Sequence, residues 1–181
     1  MVLMVRRHDG KAYAKRADRG TIYAAPPSLV TQLTQEFRKD RVMPFEAADV
    51  TRFSIRHGQT THVFARRDDK WIYEPEPDLP LDKAKVENLL LQVRDLRTPR
   101  FVEHTLEDLA PFGLDDPAVE VMVSFKDGSA RTLRVAAEPV TRMGIGGYYA
   151  SADGVDGVFL LTQPALDRIE VDLAALEAQA R

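Results

Sequence analysis

Histidines, a glycine cluster, some paired acids and a few aromatics are the side chains with which this 181-residue chain could do chemistry. His57 and His62 flank Gly58 and would face each other across a hairpin, offering two nitrogens to a metal. Stable zinc sites take three or four ligands. No carboxylate stands close by in sequence, and His8 and His104 are isolated, so turn and strand histidines are expected and no metal site. The cluster Gly144-Ile145-Gly146-Gly147 could cradle a phosphate. A phosphate loop, however, follows a strand and opens a helix whose N–H groups meet the anion. Here strand-like Tyr148-Tyr149-Ala150 comes next and no Gly-Lys-Ser/Thr occurs, which favours a flexible connection between strands and no cofactor.

Acid–base catalysis needs two carboxylates converging on a cleft with divergent pKa values. Asp68-Asp69 reads as a hairpin turn before Trp71, and Glu74/Glu76 and Asp115-Asp116 as solvated or turn residues. Ser54, Ser124, Ser129 and Ser151 lack a Gly-x-Ser-x-Gly elbow, and Ser28 suits a helix cap. The residues therefore assign no catalytic group, and an enzyme is not expected. Trp71, Tyr73, Tyr148 and Tyr149 lie on strand-like segments, where aromatics can stack on a sugar or a base; they are the candidate ligand or partner surface. Because successive strand residues alternate faces, one of Tyr148 and Tyr149 belongs to the core.

Composition narrows the classes further. The chain lacks cysteine, which excludes disulfides, thiolate catalysis and zinc–sulfur sites. A net charge of −3 gives no general attraction to nucleic acid or to anionic membranes. Charge is uneven along the chain: Arg6, Arg7, Lys11, Lys15, Arg16 and Arg19 crowd the start, while residues 101–120 hold acids without a Lys or Arg. Solvated strand faces account for both stretches. No stretch reaches the roughly 18 apolar residues of a membrane span. The opening Met-Val-Leu-Met-Val-Arg-Arg is too short for a signal's apolar region, so any export signal would lie outside this chain.

The elements that must position these residues are mostly hairpins. Asp9-Gly10, His57-Gly58, Asp127-Gly128 and Asp153-Gly154 each separate short alternating or apolar runs. Val119–Phe125 pairs with Ala130–Val135, with Val119, Val121, Val123 and Phe125 on one face. Val50–Arg56, Thr61–Arg66 and Trp71–Tyr73 read as a meander; Ala12–Lys15 with Thr21–Ala24, and Tyr148–Ser151 with Gly157–Leu161, as two more hairpins. The spacing of Val86, Leu89, Leu90, Val93 and Leu96 predicts a helix from Asp82 to about Arg97, capped by Asp82 and ended by Pro99. A second helix is expected from Ser28 to about Arg38, a single turn at Leu106–Ala110, and a helical stretch over 164–180 broken near Val171-Asp172. The class is α+β: antiparallel hairpins with two or three amphipathic helices packed on the sheet.

Displacing the chain by 136 residues lays Gly10…Leu33 on Gly146…Ile169 without a gap. Gly10, Tyr13 and Ala14 meet Gly146, Tyr149 and Ala150; Ile22, Tyr23, Val30 and Leu33 meet Val158, Phe159, Leu166 and Ile169. The expectation is a tandem repeat.

Arg100-Phe101-Val102 followed by Leu109-Ala110-Pro111-Phe112-Gly113-Leu114-Asp115-Asp116-Pro117 resembles the hallmark of a bacterial family, domain of unknown function 4340. In that family an "RFV"-like strand precedes a "YGL-x-x-P" turn and a hairpin. Phe112 stands where the family usually has Tyr, and Ala136–Arg142 lacks its glycine–lysine turn. The resemblance implies a complete copy over residues 48–181, preceded over 1–47 by the C-terminal part of another copy. It also implies an extracytoplasmic accessory protein, often membrane-anchored and found beside ABC-type transport components. No catalytic residues come with it. The function expected is thus a non-catalytic accessory or interaction domain with protein partners in a transport-linked assembly. The alternative is a small-molecule or glycan-binding module using surface aromatics.

Overall fold

The computed structural model describes residues 3–8, 11–16, 20–25, 40–103, 108–142 and 144–178. The Asp9-Gly10 turn, the helix expected from Ser28, and the first two residues of the turn expected at Leu106–Ala110 lie outside the described residues. The chain divides into two compact units, 1–38 and 39–181.

The smaller unit holds a three-stranded antiparallel sheet in the order β1-β2-β3: β1 (Leu3–His8), β2 (Lys11–Arg16) and β3 (Ile22–Ala25). β2 and β3 form the hairpin expected from sequence, with Ala12 opposite Ala25.

The larger unit is built on one eight-stranded sheet, every neighbouring pair antiparallel. Its strands are β4 (Val50–His57), β5 (Thr60–Arg67), β6 (Lys70–Tyr73), β7 (Phe101–Glu103), β8 (Val119–Phe125), β9 (Ala130–Arg142), β10 (Ile145–Ala152) and β11 (Val155–Leu161). Their order is β6-β5-β4-β8-β9-β10-β11-β7, so a local meander and a second run of hairpins meet at the non-local seam between β4 and β8, and β7 joins β11 as a second non-local pair. The turns use the residues that turn geometry demands. Gly58, Gly128 and Gly154 take positive φ, as do Asp68 and Asp69 at +46° and +62°, a conformation that short polar side chains tolerate. Residues 40–47 belong to this unit. Val42 and Met43 are buried in its core, and Val42 N–H donates to the Leu96 carbonyl at 3.1 Å.

Helix α1 (Lys83–Arg94) buries Val86, Leu89, Leu90 and Val93, the stripe its spacing predicts. The Asp82 carboxylate accepts from the N–H groups of Ala84 and Lys85 and so starts it. Two short helices follow the last strand, α2 (Gln163–Asp167) and α3 (Leu173–Leu176), split near Val171-Asp172 as expected, with Asp172 accepting from Ala175 N–H. α1 and these helices cover one face of the sheet, where Phe53, Phe64, Trp71, Val121, Leu133, Phe159 and Leu161 form the main core with Leu90 and Leu166. Burying a side chain such as Leu90 in full contributes about 1.5–3 kcal/mol. The opposite face carries a smaller core of Leu114, Ala136, Tyr149, Val158 and Leu160, with Leu109 and Phe112 packed against it. The hallmark turn is what covers that face. Pro111 lies in a 3-10 turn, Ala110–Phe112, ended by Gly113 at φ +66°, and Leu114 is fully buried behind it. The unit is therefore sheet-dominated α+β. Among the described residues no helix is long and apolar enough to cross a membrane.

Candidate functional site

β4 alternates, so Phe53, Ile55 and His57 share the helix-covered face. His57 is the last residue of β4 and lies opposite Val119 of β8. At that end of the central strands a cavity of about 210 Å3 opens between the strand ends and α2. Its polar lining is His57, Tyr148, Gln163, Asp167 and Glu170, set among Ala118, Val119, Ala136, Ala137 and Leu166. Tyr148 reaches it from β10, beside the irregularity between Tyr148 and Ala150. Its hydroxyl donates to Gln163 Oε1 at 2.8 Å, and Gln163 Nε2 donates to Asp167 Oδ1 at 2.7 Å. One turn of α2 thus aligns a tyrosine, an amide and a carboxylate in a relay, with the Gln163–Asp167 spacing of four putting both on one helical face.

His57 Nε2 is buried and meets no hydrogen-bond partner among the described residues. Burial holds the His57 pKa below its ordinary value, opposed in part by the Glu170 carboxylate. Desolvation disfavours the charged ring, so near neutral pH the cavity presents a neutral imidazole beside two carboxylates. Among the described residues the lining holds no serine, threonine, cysteine or lysine. Such a site accepts hydrogen bonds and favours positive charge. Its chemical complement is an ammonium or guanidinium group.

His62 stands on the same face, opposite Ile55, and its Nδ1 lies 3.0 Å from the Tyr73 hydroxyl. Burial lowers its pKa, and the nearby His57 lowers it further. Among the described residues no group of three or more His, Asp and Glu gathers as a metal ion requires.

The four aromatics picked out from sequence do not meet on one surface. Trp71 is 5% exposed, with its edge on Phe53 at 5.3 Å and the Arg66 guanidinium over its ring at 4.9 Å. Tyr73 is buried against Phe64 on the same face. Tyr149 is buried on the opposite face, its ring edge-on to Phe112 at 5.3 Å. Packing takes up these three rings, and Tyr148 alone lines the cavity. The remaining motifs also serve structure. Asp68 and Asp69 form a hairpin turn, and Glu74 is paired by two hydrogen bonds with Arg52 at 3.1 and 2.9 Å. Gly144 supplies a positive φ at the β9–β10 turn. Gly147 is there for close approach: a Cβ would lie 2.5 Å from the Leu161 carbonyl oxygen.

Sequence reasoning singled out His57 and Tyr148 separately and passed over Gln163, Asp167 and Glu170. The spacing of Gln163 and Asp167 was a visible signal. Their convergence with His57 was not, because it depends on the β4–β8 seam.

The family model described as "Domain of unknown function (DUF4340)" matches residues 71–175. No curated protein and no solved structure matches the chain.

Proposed function

The chain belongs to the DUF4340 family, and on that premise we propose that it is a non-catalytic interaction domain of an extracytoplasmic, transport-linked assembly. The compartment and the transport link rest on the family resemblance. The grip on a protein partner rests on one observation: among the described residues, His57 Nε2 is buried without a partner in a cavity it shares with Asp167 and Glu170. An unpaired buried polar atom costs about 1–3 kcal/mol, and a donor from a bound side chain offsets that cost. A lysine or arginine side chain of the partner supplies both the donor and the charge. The alternative, glycan or small-molecule binding through surface aromatics, is left with Tyr148 among the four residues named for it.

The test is an NMR titration with Nα-acetyl-lysine methylamide beside its neutral counterpart, Nα-acetyl-norleucine methylamide. Shifts at His57, Tyr148 and Glu170 with the lysine probe alone support the reading. Equal responses to both probes, or none, sink it. A reporter active only outside the cytoplasm, fused to the natural protein, decides the compartment.

The tandem organisation belongs to the same proposal, with residues 1–47 as the tail of a first copy and 48–181 as a second. Its support is strand register. Ala12↔Ala25, Tyr13↔Ala24 and Ala14↔Tyr23 pair in β2–β3, and displaced by 136 residues they fall on Tyr148↔Leu161, Tyr149↔Leu160 and Ala150↔Phe159, the pairs of β10–β11. A one-residue slip in either hairpin would have broken the match. Since residues 40–47 pack with the larger unit, the earlier copy's own packing would end by residue 38.

A further inference from the structure

The two hairpins that share a register differ in what surrounds them. Val158 and Phe159 in β11 are fully buried, while Ile22 and Tyr23, their counterparts in β3, are 63% and 56% exposed. Adjacent strand residues face opposite ways, so β3 leaves an apolar side chain open on each of its faces. The difference has an identifiable source in the larger unit. There β11 is followed in the sheet by β7, with Val158 opposite Glu103 and Phe159 opposite Phe101. The Phe101 ring packs edge-on against Phe159 at 5.7 Å, and Val102 packs against the cluster that holds Val158. Among the described residues β3 pairs with β2 alone and ends its sheet.

We propose that the outer edge of β3 is a strand-addition site for an extended segment of the β7 type, an aromatic followed by a β-branched residue and then an apolar turn. Added antiparallel, such a segment places its aromatic ring on Tyr23 and its β-branched side chain on the face of Ile22, as Phe101 and Val102 do on Phe159 and Val158. Backbone hydrogen bonds along the edge supply affinity, and the two side chains supply selection. The proposal rests on the tandem reading, because the register match is what identifies the kind of neighbour β3 would take.

The experiment titrates the full isotope-labelled chain with a synthetic peptide of residues 100–114 and follows backbone amide shifts. The expected result is shifts concentrated at Ile22–Ala25. Binding should weaken at least about tenfold with Tyr23→Asp in the protein or with F101S in the peptide. Tyr23 is more than half exposed, so its substitution leaves the fold intact. No shifts with peptide up to about 1 mM overturn the proposal. So do shifts confined to Val155–Leu161, which report exchange with β7, or binding indifferent to both substitutions. Cross-strand contacts between Ala12 and Ala25, measured on the same sample, test the tandem reading separately; their presence without peptide binding defeats the docking site alone.

Discussion

Phe159 and Leu160 are neighbours on β11 and both are fully buried, yet they belong to different cores. Phe159 points to the helix-covered face, into a cluster that joins strands from one edge of the sheet to the other with α1, α2 and α3. Leu160 points into the small cluster sealed by the hallmark turn. The first core is held by elements anchored along their whole length. The second depends on a single stretch of irregular chain, pinned by the Asp108 carboxylate accepting from Ala110 N–H at 3.0 Å and by Gly113. The family's most recognisable residues therefore act as the lid of a core. Their sequence reads as a motif because a short turn has few ways to bury Leu114.

Substitutions on either side of that divide should separate global from local stability. Phe159→Ala should cost the most, about 3–5 kcal/mol, because the main core is too well braced to close over the lost ring; denaturant unfolding measures it. Leu160→Ala should cost about 2–3 kcal/mol, since the turn can settle part of the way into the space. Its hydrogen-exchange signature should differ too, with protection lost first near Leu114 and Tyr149 while α1 keeps its own. Equal loss of protection in both regions would erase the distinction between the two cores. Gly113→Ala, at φ +66°, should cost about 1–2 kcal/mol through the left-handed backbone alone, again with the exchange confined to the small core.

The smallest effect is a pH dependence at the His57 cavity. The folded pKa of His57 lies below its unfolded value, so the unfolded chain takes up the proton first as pH falls. Stability is then full above the ordinary histidine pKa and is lost as pH falls through the folded value. Glu170 works against that loss, and His62, depressed in the same direction, adds to it. His57→Gln should therefore shallow the fall in the urea midpoint between about pH 8 and pH 5 without abolishing it. An unchanged slope would remove His57 as a contributor.

Much of this architecture was legible because it is local. Helix α1 announced itself through Asp82 and the Val86–Leu96 stripe, and three of the hairpins through His57-Gly58, Asp127-Gly128 and Asp153-Gly154. Strand β11 was legible as an apolar run, Val158-Phe159-Leu160-Leu161, without alternation, and the structure gives the reason: both of its faces are covered. What could not be read was adjacency between distant strands. Nothing in Val50–His57 says that its neighbour is Val119–Phe125, and the cavity forms only where they meet. The aromatics misled for a related reason. Trp71 and Tyr73 sit on a short edge strand that looks exposed in one dimension, and the helices over that face bury them. The Leu3–His8 strand was signalled only by the Asp9-Gly10 pair that follows it, because its own charged stretch gives no clear bounds.

The seam between β4 and β8 also governs how fast the unit can assemble. Its last link, Gly58 N–H to the Ala118 carbonyl at 2.8 Å, closes a loop of about 60 residues that holds β5, β6, α1 and β7. The meander before it and the hairpin after it can form early, each through a tight turn. Joining them requires two remote segments to find register by diffusion, with little gained until the ladder zips. Refolding of the larger unit should accordingly fall in the slow range of non-local β proteins, on the order of milliseconds to seconds. A circular permutant that brings β4 and β8 close in sequence should shorten it.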